Sequence, residues 1–374
     1  MSPEEPKERV DPMSMAELET QAGPNAQFAG LFTPLIRNCW YVAAFGAEIG
    51  RDMIDRRILG ESVLLYRTLD GKAVALDNRC PHRSFPLSKG YLDGDNVVCG
   101  YHGLTYDPCG MCVKVPTMSH VPKKIHIRSY PLVERGPLLW IWPGAPDLAD
   151  ESRIPHYDDP TTPEWATASG YFHIDSSYVG LHENLLDLTH FNFLHRDLGI
   201  GNEEFLTSKL DVDVEGEQVR LSLRTLDAPA PDAFVKLLDL REGEHVDRIT
   251  DFGFVSPGLC RSTALTRRLE ADSDGGQRRD FQRQVLHFIT PESQTSTHYF
   301  WFNMSDFGAQ SPEAIEFLKT ASERAFQQDK DALEWITELV ADDIRHDFQE
   351  VSLPSDRGVL QMRRMLKKLA DAER

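Results

Sequence analysis

Four residues of this 374-residue chain form two pairs with metal-ligand chemistry: Cys80-Pro81-His82 and, after sixteen intervening residues, Cys99-Gly100-Tyr101-His102. Two cysteines and two histidines in short pairs invite zinc first. The order opposes it. A zinc finger groups its cysteines together, whereas each loop here carries one Cys and one His. That order suits a 2Fe–2S cluster in which two thiolates hold one iron and two neutral imidazoles hold the other. Such ligation raises the potential to roughly −150 to +300 mV, against about −400 mV for plant-type ferredoxins. Pro81 stiffens the first loop, while Gly100 and Gly103 let the backbone approach the sulfides. Cys109-Gly110-Met111-Cys112 is a lone CxxC just downstream, and it reads as an ordinary turn ahead of a redox pair or metal clip.

A cluster that only carries electrons needs no more than one small domain. The run Asn184-Leu185-Leu186-Asp187-Leu188-Thr189-His190-Phe191-Asn192-Phe193-Leu194-His195 supplies a reason for the rest of the chain. Asn184, Asp187 and His190 are three apart and would share one helix face. His195 is five further on, which an unbroken helix turns away by about 140°. For both imidazoles to meet one metal, the helix must end or bulge between them. Two histidines, one carboxylate and open positions make the set that binds Fe(II) for dioxygen chemistry. The long C-terminal helix offers Asp329 and Asp331 for the carboxylate, and composition alone does not choose between them. A lone histidine among apolar residues more often packs than ligates; the first metal site upstream tips this pair toward ligation.

These loops need elements to hold them. From Trp40 to about residue 145, short alternating strands are broken by Gly, Pro and Asp: residues 62–67, 73–77, 96–100 and 137–142. The spacing predicts a small all-β domain over 31–148, behind a flexible polar tail at 1–30, with residues 143–155 as a linker. The remainder, 149–374, is mixed. It has a helical segment around 178–195, strands at 218–225, 279–290 and 296–304, and a helix from Ser311 to about Ala341 opened by Ser-Pro-Glu. Residues 226–250 read as a loop-and-short-helix lid, and a basic helix closes the chain.

The motifs together resemble the Rieske non-haem iron oxygenases, in the branch of vanillate and dicamba O-demethylases. The matching pieces are CPHRSFPLSKG, CGYHGLTYD, NLLDLTHFNFLH, FITPESQTSTHYFWF, FQQDKDALE and GVLQMRRMLKKL. The first three belong to the whole family and the last three to the demethylase branch. The resemblance implies an α+β fold: an N-terminal all-β Rieske 2Fe–2S domain, then a helix-grip α/β catalytic domain with an antiparallel sheet. It implies iron ligands His190, His195 and Asp329, and Asn184 near the iron. It implies that Asp187 bridges to a Rieske histidine, His102, of a neighbouring subunit in a head-to-tail homotrimer. His287 matches a substrate-contacting histidine, and a pocket tryptophan of the dicamba enzyme falls here on about Thr320. The activity implied is hydroxylation of a methyl or alkyl group on an aromatic substrate with loss of an aldehyde, using dioxygen and NAD(P)H-derived electrons passed on by a ferredoxin or flavin reductase.

Charge sorts the partners. A net charge of −19 repels nucleic acid and anionic membrane surfaces. No apolar run is long enough to span a bilayer, and the acidic start lacks a signal-peptide pattern, so a cytoplasmic protein is expected. Between Arg79 and Arg128, seven Lys or Arg face three Asp, a local basic excess that suits an acidic electron donor. Two rival readings share the motifs. A dihydroxylating oxygenase would keep both metals but add oxygen to a ring, and a pure electron carrier would have no use for His190, His195 and Asp329.

Overall fold

The computed structural model describes residues 35–238, 240–269, 280–309, 311–343 and 350–373. The expected tail at 1–30 lies outside them. Ten short strands fill the first part in three small antiparallel sheets. One pairs β1 (Tyr41–Phe45) with β10 (Leu138–Ile141) and β9 (Leu132–Arg135). The second is β2 (Ile54–Ile58), β3 (Glu61–Arg67) and β4 (Ala73–Asp77). The third, a meander of β5 (Tyr91–Asp93), β6 (Asn96–Val98), β7 (Thr105–Tyr106) and β8 (Cys112–Lys114), carries the cysteine loops. The alternating segments predicted at 62–67, 73–77, 96–100 and 137–142 coincide with β3, β4, β6 and β10. In place of a plain linker, 3-10 turns form at Pro146–Leu148 and Glu151–Arg153.

One seven-stranded antiparallel sheet organises the rest. Its order is β11 (Ala166–Ile174), β17 (Thr297–Ser305), β16 (Asp280–Pro291), β15 (Leu259–Arg268), β14 (His245–Ser256), β13 (Gln218–Pro229) and β12 (Leu210–Glu215). Strand β17 is buried at every position, and period-two alternation explains how. Tyr299 and Trp301 face the core shared with the helices, while Phe300, Phe302 and Met304 pack with Trp40, Trp140 and Trp142 from the first part of the chain. Sheet and N-terminal strands therefore share one core, which fixes their relative placement. On the opposite face lie α1 (Tyr178–Leu186), α4 (Pro312–Asp342) and α5 (Arg357–Asp371), with α2 (Glu203–Thr207) against β13 and α3 (Asp232–Leu237) packed with Val246 of β14 and Phe281 of β16. Helix α4 begins as its sequence predicts: Ser311 Oγ accepts from the Ala314 N–H, followed by Pro312.

Two expectations need correction. The helical segment around 178–195 stops at Leu186, and 3-10 turns take over at Thr189–Asn192 and Arg196–Leu198. The lid at 226–250 shrinks to α3 and its flanks, because β13 continues to Pro229 and β14 starts at His245.

Candidate functional site

Two tight loops bring the Cys/His pairs together. In the first, the Cys80 N–H donates to Phe85 O (3.0 Å) and the Ser84 N–H to Cys80 O (2.8 Å). The second repeats the pattern, Cys99 N–H to Leu104 O (2.8 Å) and Gly103 N–H to Cys99 O (2.9 Å). Gly103 turns with φ +71°, which few other residues tolerate. The loops pack so closely that a Cβ on Gly90 would sit 2.0 Å from Val98 O. Both thiols are buried, and the imidazoles of His82 and His102 lie at the surface with ring centres 4.5 Å apart. Burial, and the neighbouring Cys80 behind it, push the Cys99 thiol up. Among the described residues, the only set of three or more His, Cys, Asp or Glu donors gathered within 4.8 Å lies elsewhere, so these four do not close on a single ion as zinc requires. Buried sulfur on one side and exposed nitrogen on the other fit a two-iron cluster instead. Cys109 is exposed and Cys112 buried, its Sγ 3.4 Å from Lys114 O, around a Gly110 turn at φ +84°.

The gathered set is His190, His195 and Asp329. Helix α1 ends because Asp187 leaves it at φ −93°, ψ 108°, and its Oδ1 accepts from Thr189 N–H (2.9 Å) and Oγ1 (2.7 Å). This Asp-turn starts the 3-10 segment that swings His190 toward His195, with ring centres 5.0 Å apart. Asp329 projects from α4 and is 5% exposed. Its Oδ1 lies 3.2 Å from His195 Nε2 and 3.5 Å from His190 Nε2, and it accepts from Asn184 Nδ2 at 3.0 Å. Asp331, two residues on, points elsewhere and accepts from Gln327 Nε2. The helix break that the histidine spacing demands is thus present, although Asn184, Asp187 and His190 do not share a helix face.

Second-layer bonds fix the imidazoles. Gln328 Nε2 donates to Asp197 Oδ1 (2.9 Å), so its Oε1 is left to accept from His195 Nδ1 (2.8 Å). That assigns the proton to Nδ1 and the Nε2 lone pair to the centre of the set. Both ring nitrogens of His190 are buried without a hydrogen-bond partner among the described residues, a costly arrangement that a bound metal would relieve. Burial holds His190 below its ordinary pKa; for His195 burial acts the same way, but Asp329 and Gln328 outweigh it. Two imidazoles and one carboxylate, open on one side, are the donor types that suit ferrous iron.

That open side is a cavity of about 530 Å³ between sheet and α4. Phe191, Phe252, Val285 and Phe326 give it apolar walls, and Thr320 also lines it. His287, on the wall, is pushed down to about 3 by burial and is therefore neutral. Its Nδ1 pairs with Tyr299 Oη at 2.7 Å; with the phenol as donor, Nε2 carries the proton. Sequence reasoning missed Gln328, although it sits inside a quoted segment. It also missed Arg248 and Arg283 on the cavity wall. Their signal was a charged residue at an inward position of an alternating strand.

Comparison with known proteins agrees with this geometry. Residues 39–131 match the Rieske [2Fe-2S] domain family, and residues 174–372 match the vanillate O-demethylase oxygenase C-terminal domain. The chain is 34% identical over 342 residues to the iron-sulfur subunit of the toluene-4-sulfonate monooxygenase system of Comamonas testosteroni, covering 90% of this chain and 98% of that one. It is 31% identical to the oxygenase component of dicamba O-demethylase from Stenotrophomonas maltophilia, with coverage of 90% and 98%. The crystal structure of dicamba monooxygenase bound to 3,6-dichlorosalicylic acid superposes with a TM-score of 0.82 at 31% identity, over 91% of this chain and 99% of that one. On these grounds the chain belongs to the Rieske non-haem iron oxygenases, in the vanillate O-demethylase group, and is the oxygenase component of a monooxygenase that uses a 2Fe–2S cluster and a mononuclear iron.

Proposed function

We propose that this enzyme removes a methyl or alkyl group from an oxygen or nitrogen of an aromatic substrate. The observation that carries the reading is the convergence of His190, His195 and Asp329 at the floor of an apolar-walled cavity. Relatives support its chemistry: they include oxygenase subunits named for vanillate O-demethylation and dicamba O-demethylation, and a chloroacetanilide N-alkylformylase from Rhizorhabdus wittichii at 30% identity. When bound, the cluster on Cys80, His82, Cys99 and His102 relays single electrons, and the iron on His190, His195 and Asp329 activates dioxygen. For an aryl methyl ether the balance is ether, dioxygen, two electrons and two protons giving phenol, formaldehyde and water.

The chain's own residues then have separate tasks. Asn184 orients the Asp329 carboxylate through its 3.0 Å bond. Gln328 holds the His195 tautomer. His287 offers an Nε2–H donor to a polar substrate group, and the phenyl rings of the wall exclude water from the reacting carbon. Asp187 serves as the bridge to His102 of a neighbouring subunit. What supports this is its second oxygen: Oδ1 is engaged by Thr189, whereas Oδ2 has no partner among the described residues and the residue is half-buried. A homotrimer in the cytoplasm is the assembly that fits, with 31–148 as cluster domain and 149–374 as iron domain. The exposed apolar residues Trp335 and Leu339 on α4, with Val351 and Leu353 after it, supply contact surface. Among the described residues no helix is long and apolar enough to cross a membrane. The basic excess over 79–128 suits docking of an acidic ferredoxin or reductase.

Steady-state turnover with a reductase and a panel of O-methyl and N-alkyl aromatics tests the reading. Aldehyde released in step with NAD(P)H consumed is the expected result. A diol product with no aldehyde would contradict it.

A further inference from the structure

The far wall of the cavity holds two guanidinium groups, and among the described residues no acid pairs with either. Arg248 on β14 is 6% exposed, and its Nε and Nη1 are buried without a hydrogen-bond partner among the described residues. Arg283 on β16 is half-buried; its Nε is likewise unpartnered, and its Nη2 donates only to the neutral amide of Asn303 at 3.3 Å. Neither makes an ion pair among the described residues. Asp232, the acid on this part of the wall, is exposed and bonds to neither. Both guanidiniums lie over the ring of Phe234 on α3, at 4.3 and 5.7 Å from its centre. Burial lowers both pKa values to about 10, and the Arg283 charge adds to the effect on Arg248. Both remain charged near neutral pH.

Two adjacent buried like charges are costly, and a fold retains them where something answers them. Register shows where. Thr250 pairs with Ala264, which pairs with Arg283, so Arg283 and Arg248 (two residues along from Thr250) point to the same sheet face. His287 is on that face too, four residues from Arg283, about 13 Å along the strand. Phe326, three residues before Asp329 on α4, packs against His287 with ring centres 5.6 Å apart, so the metal set lies toward the His287 end of the cavity and the arginine pair farther along the strands.

We propose that Arg248 and Arg283 form an oxyanion clamp, so that the substrate is an aromatic acid whose carboxylate or sulfonate lies against Phe234 while its alkyl group reaches His190, His195 and Asp329. This rests on the dealkylation reading and narrows it to one charge class. A planar guanidinium presents paired N–H donors that match two oxygens of such a group, and two guanidiniums bracket it from two sides. The apolar middle of the cavity suits the ring, and charge at one end fixes which end of the substrate meets the metal set. A neutral substrate would leave both arginines buried and unpaired, which selects against it.

Calorimetric titration of the full-chain holoenzyme, with no reductant present, tests the clamp. The probes are 4-methoxybenzoate, 4-methoxybenzenesulfonate and 4′-methoxybiphenyl-4-carboxylate, each against its neutral amide or sulfonamide. The expected result is that at least one acid binds about tenfold or more tightly than its neutral partner, and that this preference disappears in Arg248→Met and Arg283→Met. The carboxylate and sulfonate arms show which oxyanion fits. Equal binding of acids and amides across the panel overturns the proposal, as does a preference that survives both substitutions. Should a variant fail to fold, the wild-type comparison still decides. Because binding is read without turnover, an acid preference with no dealkylated product sinks the dealkylation reading and leaves the clamp. Dealkylation without an acid preference does the reverse.

Discussion

Asn184 Nδ2 donates to the same Asp329 oxygen that faces both imidazoles: 3.0 Å from the amide, 3.2 Å from His195 Nε2 and 3.5 Å from His190 Nε2. A carboxylate oxygen has two lone pairs. Asn184 occupies one and so aims the other at the point between the histidines.

Removing that amide loosens the carboxylate without removing a ligand. Asn184→Ala is expected to weaken ferrous iron binding by roughly 10- to 100-fold, the range typical of lost outer-layer support. Iron titration followed by metal analysis measures it. The visible spectrum of the cluster, held by other loops, stays as in the wild type.

The two acids on α4 separate cleanly. Asp329 is 5% exposed and central, whereas Asp331 bonds to Gln327 on another side of the helix. Asp329→Ala should lose the mononuclear iron and all turnover while keeping the cluster. Asp331→Ala should keep both metals and most activity, with a stability change within about 0.5 kcal/mol. Retention of iron by Asp329→Ala would remove it from the ligand set.

Asp187→Asn preserves the shape of the turn at Thr189 but removes the charge on which the proposed bridge to a neighbouring subunit's histidine depends. Both metals remain, and transfer of an electron from the reduced cluster slows by about 100-fold or more, as expected when a bridging group that must carry charge is neutralised. Stopped-flow recovery of the cluster's visible band, as the reduced cluster gives up its electron, reads this directly. Unchanged rates would end the bridging role.

Buried neutral histidines predict an acid limb in stability. Burial lowers His182 to about 4, with its Nε2 paired to Pro257 O at 3.0 Å, and lowers His298 to about 4 as well. Both folded values lie below the unfolded value of about 6.5. Their contribution is therefore present above pH ~6.5 and is lost as the pH falls toward 4, because unfolding takes up protons. Each adds a slope approaching about 1.4 kcal/mol per pH unit within that window. Urea midpoints of the wild type and of His182→Gln, which keeps a donor for Pro257, check the sign: the variant should show the shallower decline.

The legible parts of the sequence were those where one face differs from the other. Strand β13 alternates polar and apolar from Gln218 through Thr225, and Val219, Leu221, Leu223 and Thr225 are indeed the buried set. The five-residue step from His190 to His195 required a break in the helix, and the break is there. Its position was misjudged because no Gly or Pro marks it; the chain turns instead on Asp187 capping Thr189, a local competition between side chain and helix that a D-x-T triplet signals only weakly. Arg248 was passed over for a related reason. In HVDRITDF it occupies an inward position between Val246 and Thr250, and a charge there breaks the alternation that helps identify the strand. Such breaks mark function when the charge is also unpaired, and pairing depends on contacts that only the folded chain reveals.

The most direct test of the central claim is product mass after a single turnover. Reconstituted holoenzyme, chemically reduced and then exposed to labelled dioxygen with O-methyl and N-alkyl aromatic acids, should release an aldehyde together with the dealkylated aromatic, at no more than one equivalent per iron site. A product that instead carries two labelled oxygens and two added hydrogens on an intact, still-alkylated ring would contradict the account.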